Sequence, residues 1–74
     1  MHNRTVQLYK EIYKKGTRVE CIHMDDPYSP IDPGTKGTVV MVDDMGTIHM
    51  DWDNGRTLGL IPGEDEFKII KEEK

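Results

Sequence analysis

Several residue types are scarce in this chain, and each scarcity argues against a class of protein. The 74 residues contain no alanine, one serine and one cysteine. A single cysteine, Cys21, cannot form an intramolecular disulfide, so the sequence does not predict a disulfide-stapled secreted fold. The small number of serine and cysteine side chains also leaves few nucleophiles for covalent catalysis. We therefore expect a small domain without a disulfide whose function is not catalytic.

Basic charge and long apolar runs are also in short supply. The net charge is -4, from 14 acidic and 10 basic residues. Binding to RNA or DNA is disfavoured, because a basic face supplies most of the affinity for a phosphate backbone. The opening residues MHNRTVQLYK are polar where a signal peptide is apolar, and no run approaches the length of a membrane span. We expect a cytoplasmic protein without membrane contact.

The length of the chain limits the fold to one domain with a single small core. Domains of this size often gain stability from a disulfide, a metal or a second subunit. Because no disulfide is possible and no metal motif is evident, a homo-oligomer is a reasonable source of extra stability.

The feature that organises the chain is the stretch from Pro33 to Leu60. It contains three apolar runs separated by two strong turn signals, and therefore predicts a three-stranded meander. The Asn54-Gly55 pair suits a type I′ turn, which requires positive φ at both positions. This turn places Trp52 opposite Arg56 and Met50 opposite Leu58. The alternation of Ile48, Met50 and Trp52 predicts that these three side chains lie in the core.

Other patterns complete the predicted element order. An amphipathic helix is predicted over Asn3–Lys15 and assigned to residues 1–16, and it packs either on its own sheet or on another subunit. The consecutive apolar residues of the second strand, up to Val42, predict cover on both faces, with the helix as one possible cover. The predicted mainly β barrel occupies residues 17–70, and residues 71–74 form a frayed tail. Its five strands are predicted at Thr17–Met24, Lys36–Val42, Thr47–Asp53, Arg56–Ile61 and Phe67–Ile70.

Several short motifs in this order resemble a known family. They are Gly16-Thr17-x-Val19, His23-Met24-Asp25-Asp26-Pro27-Tyr28, Pro33-Gly34-Thr35-x-Gly37-Thr38-Val39, Trp52-Asp53-Asn54-Gly55 and Ile61-Pro62-Gly63. From about Tyr13 to Ile70 the chain resembles the family of domains of unknown function numbered four-three-one-four, found in bacteria, phages and mobile elements. The resemblance implies a small SH3-like barrel and a phage or mobile-element setting. It brings no established activity and no catalytic residues.

The loop between the first two strands, residues 24–34, is the leading candidate for function. It contains three prolines and is long for so small a domain, and long ordered loops of compact domains tend to carry function. In SH3-like barrels, ligands usually meet the face between this loop and the later hairpin. Aromatic side chains there supply contact area, and carboxylates select cationic or hydrogen-bonding groups. The predicted partner-binding residues are Asp25, Asp26, Tyr28, Pro30, His49 and Asp51, with a protein as the partner.

Two other kinds of site were considered. A small anionic ligand, such as a nucleotide, can be held by an oligomer through Lys36, Gly37 and Arg56 with loop amides. His23 and His49 could join nearby aspartates to bind a metal, but they lack the short spacing of metal motifs, so neither a metal nor another cofactor is predicted. The leading hypothesis is a non-catalytic interaction module for a protein partner.

Overall fold

A computed structural model describes residues 3–26, 28 and 30–71 of the chain. These residues form one helix and four strands. The four strands make a single antiparallel sheet with the order β3-β2-β1-β4. The prediction of a mainly β fold with one N-terminal helix is confirmed. The elements are α1 (Asn3–Ile12), β1 (Arg18–His23), β2 (Lys36–Val42), β3 (Ile48–Trp52) and β4 (Glu66–Ile69).

The core lies on one face of this sheet. On β3 the side chains of Ile48, Met50 and Trp52 are buried and those of His49 and Asp51 are exposed, as the alternation predicted. Trp52 is 2% exposed, which confirms it as a core residue rather than a surface aromatic.

Cys21 also belongs to the core, with no exposed surface. Burial raises the pKa of its thiol, and the nearby carboxylates of Asp65 and Asp32 raise it further. A thiol in this environment stays protonated and unreactive. Cys21 therefore serves as a small core residue.

The prediction that β2 is covered on both faces is wrong. Val39 pairs with Met50, but the next pairing joins Met41 to His49, so a bulge leaves Val40 without a partner in the register. An extra residue in one strand bends it and changes the face on which the following side chain lies. As a result Val40 and Met41 are 45% and 50% exposed, so neither is covered.

Helix α1 ends at Ile12, three residues before the predicted end at Lys15. The chain then turns through a bond from the Thr17 amide to the Lys14 carbonyl, with Gly16 at a φ of 94°. Val6 of the helix is 2% exposed, and two tyrosines, Tyr9 and Tyr13, pack against the core. The helix therefore docks on the sheet of its own chain.

The described residues contain four strands where the sequence predicted five, and the difference is residues 56–61. This segment pairs with β3 at its two ends, where Trp52 N donates to Arg56 O at 2.8 Å and Ile48 and Leu60 exchange bonds of 2.9 and 2.8 Å. Between the two ends, the indole Nε1 of Trp52 donates to Leu58 O at 2.7 Å. The indole therefore takes a carbonyl that a continuous strand would have offered to the ladder.

The turn between β3 and this segment differs from the prediction. Among the described residues no non-glycine has positive φ, so Asn54 cannot occupy a type I′ turn. Instead Gly55 N donates to Trp52 O at 2.9 Å, and Gly55 alone is left-handed, with φ of 90°. This is a three-residue loop in which a type I turn is followed by a left-handed glycine. The predicted pairing of Trp52 with Arg56 is confirmed, and it is the three-residue loop that gives this register, because a two-residue turn at Asn54-Gly55 would have paired Asp53 with Arg56.

The long loop is anchored by side chains at both of its ends. Met24 is 5% exposed and Ile31 is 1% exposed, so the loop is pinned to the core. Tyr28, one of the predicted partner-binding residues, does not pack beneath the loop and is 93% exposed. Pro27, Ser29 and residues 72–74, which include most of the predicted tail, lie outside the described residues.

Candidate functional site

A small groove lies between the start of the long loop and the chain that follows β3. It encloses about 190 Å³. Its lining divides into an apolar part and an acidic part, and we call it the acidic groove. The apolar part, which we call the floor, consists of Met24, Leu58, Gly59 and Ile61. The acidic part, which we call the rim, consists of Asp25, Asp26, Glu64 and Asp65.

Asp65 joins the two walls of the acidic groove. Its Oδ1 accepts a hydrogen bond from Asp25 N at 2.9 Å, and its Oδ2 accepts one from Ile61 N at 2.8 Å. The carbonyl of Ile61 in turn accepts bonds from Glu64 N and Asp65 N, both at 3.0 Å. Sequence reasoning missed this residue. Its position two residues after Pro62-Gly63 was the available signal, since aspartate often binds the backbone of a turn.

The two loop aspartates have different surroundings. Asp26 Oδ1 accepts a hydrogen bond from Tyr28 N at 2.8 Å, which makes a local turn and leaves the Tyr28 side chain exposed. For the carboxylate of Asp25, no partner occurs in the part of the chain that the structure describes. Asp25 therefore carries an exposed negative charge at the rim, available to a ligand.

The apolar floor depends on contacts with β3. The bond from the Trp52 indole to Leu58 O fixes the backbone of the floor. The next residue is Gly59, and a Cβ there would lie 2.9 Å from Thr47 Cγ2 and 3.3 Å from Ile48 O. Only glycine allows the segment to pass this close to β3 without a shift. The position of the floor is thus fixed by its contacts with β3 and with Thr47, which precedes that strand.

The six residues predicted to bind a partner do not all line one groove. Asp25 and Asp26 line the acidic groove, and Tyr28 and Pro30 lie beside them in the loop. His49 instead lines a shallow depression on the other side of Leu58 and Gly59, and the sixth residue, Asp51, lines neither. His49 Nε2 lies 2.8 Å from Asp43 Oδ2, and this hydrogen bond is the main reason that the pKa of Asp43 is lowered.

The three residues of the anion alternative do not line one pocket either. Gly37 is buried, and a Cβ there would lie 2.7 Å from Cε3 of Trp52, so this glycine serves packing. Arg56 Nη1 donates to Pro30 O at 3.2 Å and ties the hairpin to the loop. Arg56 lines the shallow depression, but Lys36 does not.

The outer face of the sheet carries its own network of charges, centred on Arg18. Its guanidinium donates to both carboxylate oxygens of Asp53, with Nη1–Oδ1 at 2.8 Å, and to Thr38 Oγ1 at 2.8 Å. The hydrogen bond from Arg18, followed by charge attraction to Arg18 and Lys36, lowers the pKa of Asp53. These contacts join β1 and β2 to the residue that directly follows β3, away from the acidic groove.

The described residues offer neither a metal site nor a membrane-spanning helix. Across 3–26, 28 and 30–71, no three or more histidine, cysteine, aspartate or glutamate side chains are grouped so as to hold a metal ion. Within the same ranges, no helix has both the length and the apolar character needed to cross a membrane.

Comparison with known proteins supplies a family. The model described as "Domain of unknown function (DUF4314)" matches residues 2–70, nearly the whole chain, and the protein belongs to this family. The match includes α1, so the expectation that the family segment starts near Tyr13 is wrong. A search of curated proteins finds no match.

Proposed function

We propose that this member of the DUF4314 family is a non-catalytic binding module whose acidic groove takes a lysine or arginine side chain of a protein partner. The observation that carries the proposal is the composition of the groove: four carboxyl-bearing residues surround an apolar floor, and no basic residue lines it. A long cationic side chain combines an apolar stem with a charged head, and so matches both parts of the lining.

The size of the groove supports a single side chain as the ligand. Its volume of about 190 Å³ falls below the roughly 300–1,000 Å³ typical of pockets for whole small molecules. An aliphatic stem can lie on Leu58 and Ile61 while its head reaches the rim. There the exposed carboxylate of Asp25 has no competing partner among the described residues, which favours it as the primary contact.

The surroundings of the groove suit a protein partner. Tyr28 is 93% exposed next to Asp26, and Pro30 is exposed two residues later, so both offer contact area beyond the groove. The net charge of -4 would speed the approach of a basic partner at low salt. The sheet order and the pairing of Ile48 with Leu60 support the proposal of a strongly bent, SH3-like barrel, a fold whose ligands usually meet the face between this loop and the later hairpin.

The proposal is tested by titrating the protein into a fluorescein-labelled hexapeptide of alternating glycine and arginine and measuring the binding affinity. The control peptide has glutamine in place of each arginine. The protein is compared with an Asp25→Asn, Asp26→Asn variant and with Asp51→Asn, which removes an exposed aspartate outside the groove. Because each exposed ion pair contributes about 0.2–1 kcal/mol, we expect the groove variant to bind about 2- to 30-fold more weakly. Asp51→Asn should bind like the wild type.

Three results would contradict the proposal. Equal affinity for the arginine and glutamine peptides would show that charge is not recognised. Unchanged affinity in the groove variant would place binding elsewhere. Affinity that stays constant as salt rises from about 20 to 300 mM would exclude exposed ion pairs, which salt screens.

A further inference from the structure

The last strand of the sheet, β4, has one free edge. It is the terminal strand in the order β3-β2-β1-β4 and pairs only with β1. Ile70 N donates to Arg18 O at 3.0 Å, which sets the direction of the backbone groups along the strand. These directions alternate in an antiparallel ladder, so Lys68 also faces β1, whereas Phe67 and Ile69 present their N–H and C=O groups outward. No other residue within the described ranges binds these outward groups.

We propose that this edge pairs with the same edge of a second copy of the chain. The two β4 strands would run antiparallel about a twofold axis, with Phe67 opposite Phe67 of the second copy. An exposed strand edge is a template for such pairing, because its unsatisfied backbone groups match those of another edge. The result is one continuous eight-stranded sheet across the dimer.

Charge complementarity favours a second copy of the chain as the partner, in the register centred on Phe67. Glu66 and Lys68 are exposed on the same strand, and neither forms an ion pair within the described part of the chain. Centring the pair on Phe67 places each Glu66 directly opposite Lys68 of the other copy, which gives two reciprocal ion pairs. Centring it on Lys68 would instead oppose two lysines, and like charges directly opposite each other are destabilising.

The face of β4 opposite to Glu66 and Lys68 is apolar, and in the same register it adds contact area to the dimer. Phe67 packs against the core and meets Tyr13 edge-on, with ring centroids 5.6 Å apart and planes inclined at 64°. The two Phe67 rings would adjoin across the axis. Ile69, which is 46% exposed, lies on the same strand and would lose part of that exposure. For so short a chain, an added subunit is an effective source of stability.

The test is the solution mass of the full chain, measured by sedimentation equilibrium over a range of concentrations. The interface is short, so we expect a weak dimer that dissociates in the range of about 10 to 500 µM. Lys68→Glu and Glu66→Lys should each weaken the dimer about tenfold, because each replaces two attractive pairs by two repulsive ones. The double variant Glu66→Lys, Lys68→Glu restores attraction and should dimerise like the wild type.

A second pair of variants tests the backbone bonds. In this register the outward N–H of Ile69 lies opposite Asp65 of the second copy, just before its β4. Ile69→Pro removes this N–H, which is not used within the chain, so the variant should fold but remain monomeric. Ile69→Val keeps the N–H and should dimerise normally. Fluorescence of the buried Trp52 verifies folding in every variant. A wild type that stays monomeric at about 1 mM would overturn the proposal. So would a folded double variant without rescue, or a dimer that Ile69→Pro leaves intact.

Discussion

Removing the Asp65 carboxylate should destabilise the fold by separating the two walls of the acidic groove. The side chain accepts one bond from Asp25 N and one from Ile61 N. A hydrogen bond to a charged group contributes about 1.5–3 kcal/mol. Because Asp65 is only partly buried and water can replace it, we assign about 1 kcal/mol to each bond. Asp65→Ala should therefore lower the free energy of unfolding by about 2 kcal/mol.

Urea denaturation measures this change, with the fluorescence of Trp52 as the signal. Trp52 is the only tryptophan of the chain and is 2% exposed, so its emission reports unfolding. For a chain of this length the urea m-value is about 1 kcal/mol/M, so the midpoint should fall by about 2 M. The control is Glu64→Ala, an exposed carboxylate of the same turn, which should shift the midpoint by less than about 0.5 M. Equal midpoints for the two variants would show that Asp65 does not hold the two walls of the acidic groove together.

Three further predictions concern the core and the outer face. Gly37→Ala should cost about 1–3 kcal/mol in urea unfolding, because the new Cβ would lie 2.7 Å from Cε3 of Trp52; an unchanged midpoint would contradict this packing. The lowered pKa of Asp53 means that its bond to Arg18 stabilises the fold above the ordinary aspartate pKa, and that this contribution is lost as pH falls through the lowered value. Asp53→Asn should therefore lose less stability than the wild type on acidification, as thermal unfolding at pH 6 down to about 2 would measure. The buried thiol of Cys21 should react with a disulfide reagent no faster than the protein unfolds, and rapid labelling of the native protein would show a more open core.

The parts of the fold that sequence predicted well are those set by local patterns. Alternation placed Ile48, Met50 and Trp52 in the core, because side-chain direction along a strand has a period of two. Glycine after polar turn residues marked the ends of the hairpins, although Gly55 works within a three-residue loop rather than a two-residue one.

The parts that escaped prediction depend on contacts between distant residues. The run of apolar residues in β2 gives no sign of the bulge at Val40, which arises from pairing with β3. Residues 56–61 have the composition of a strand, yet the Trp52 indole takes the Leu58 carbonyl from the ladder. Asp65 joins a loop residue 40 positions away. For the same reason the predicted binding residues were only partly brought together, with His49 and Asp51 outside the groove.

The most direct test of the acidic groove is to map where a basic peptide contacts the protein. Amide chemical shifts would be recorded by NMR while the arginine hexapeptide is added to the full chain. The account predicts changes that converge on Met24–Asp26 and on Leu58–Asp65, and that disappear with the glutamine peptide. Changes centred on the outer face of the sheet, around Thr38 and Asp51, or no changes at low salt, would contradict the central claim.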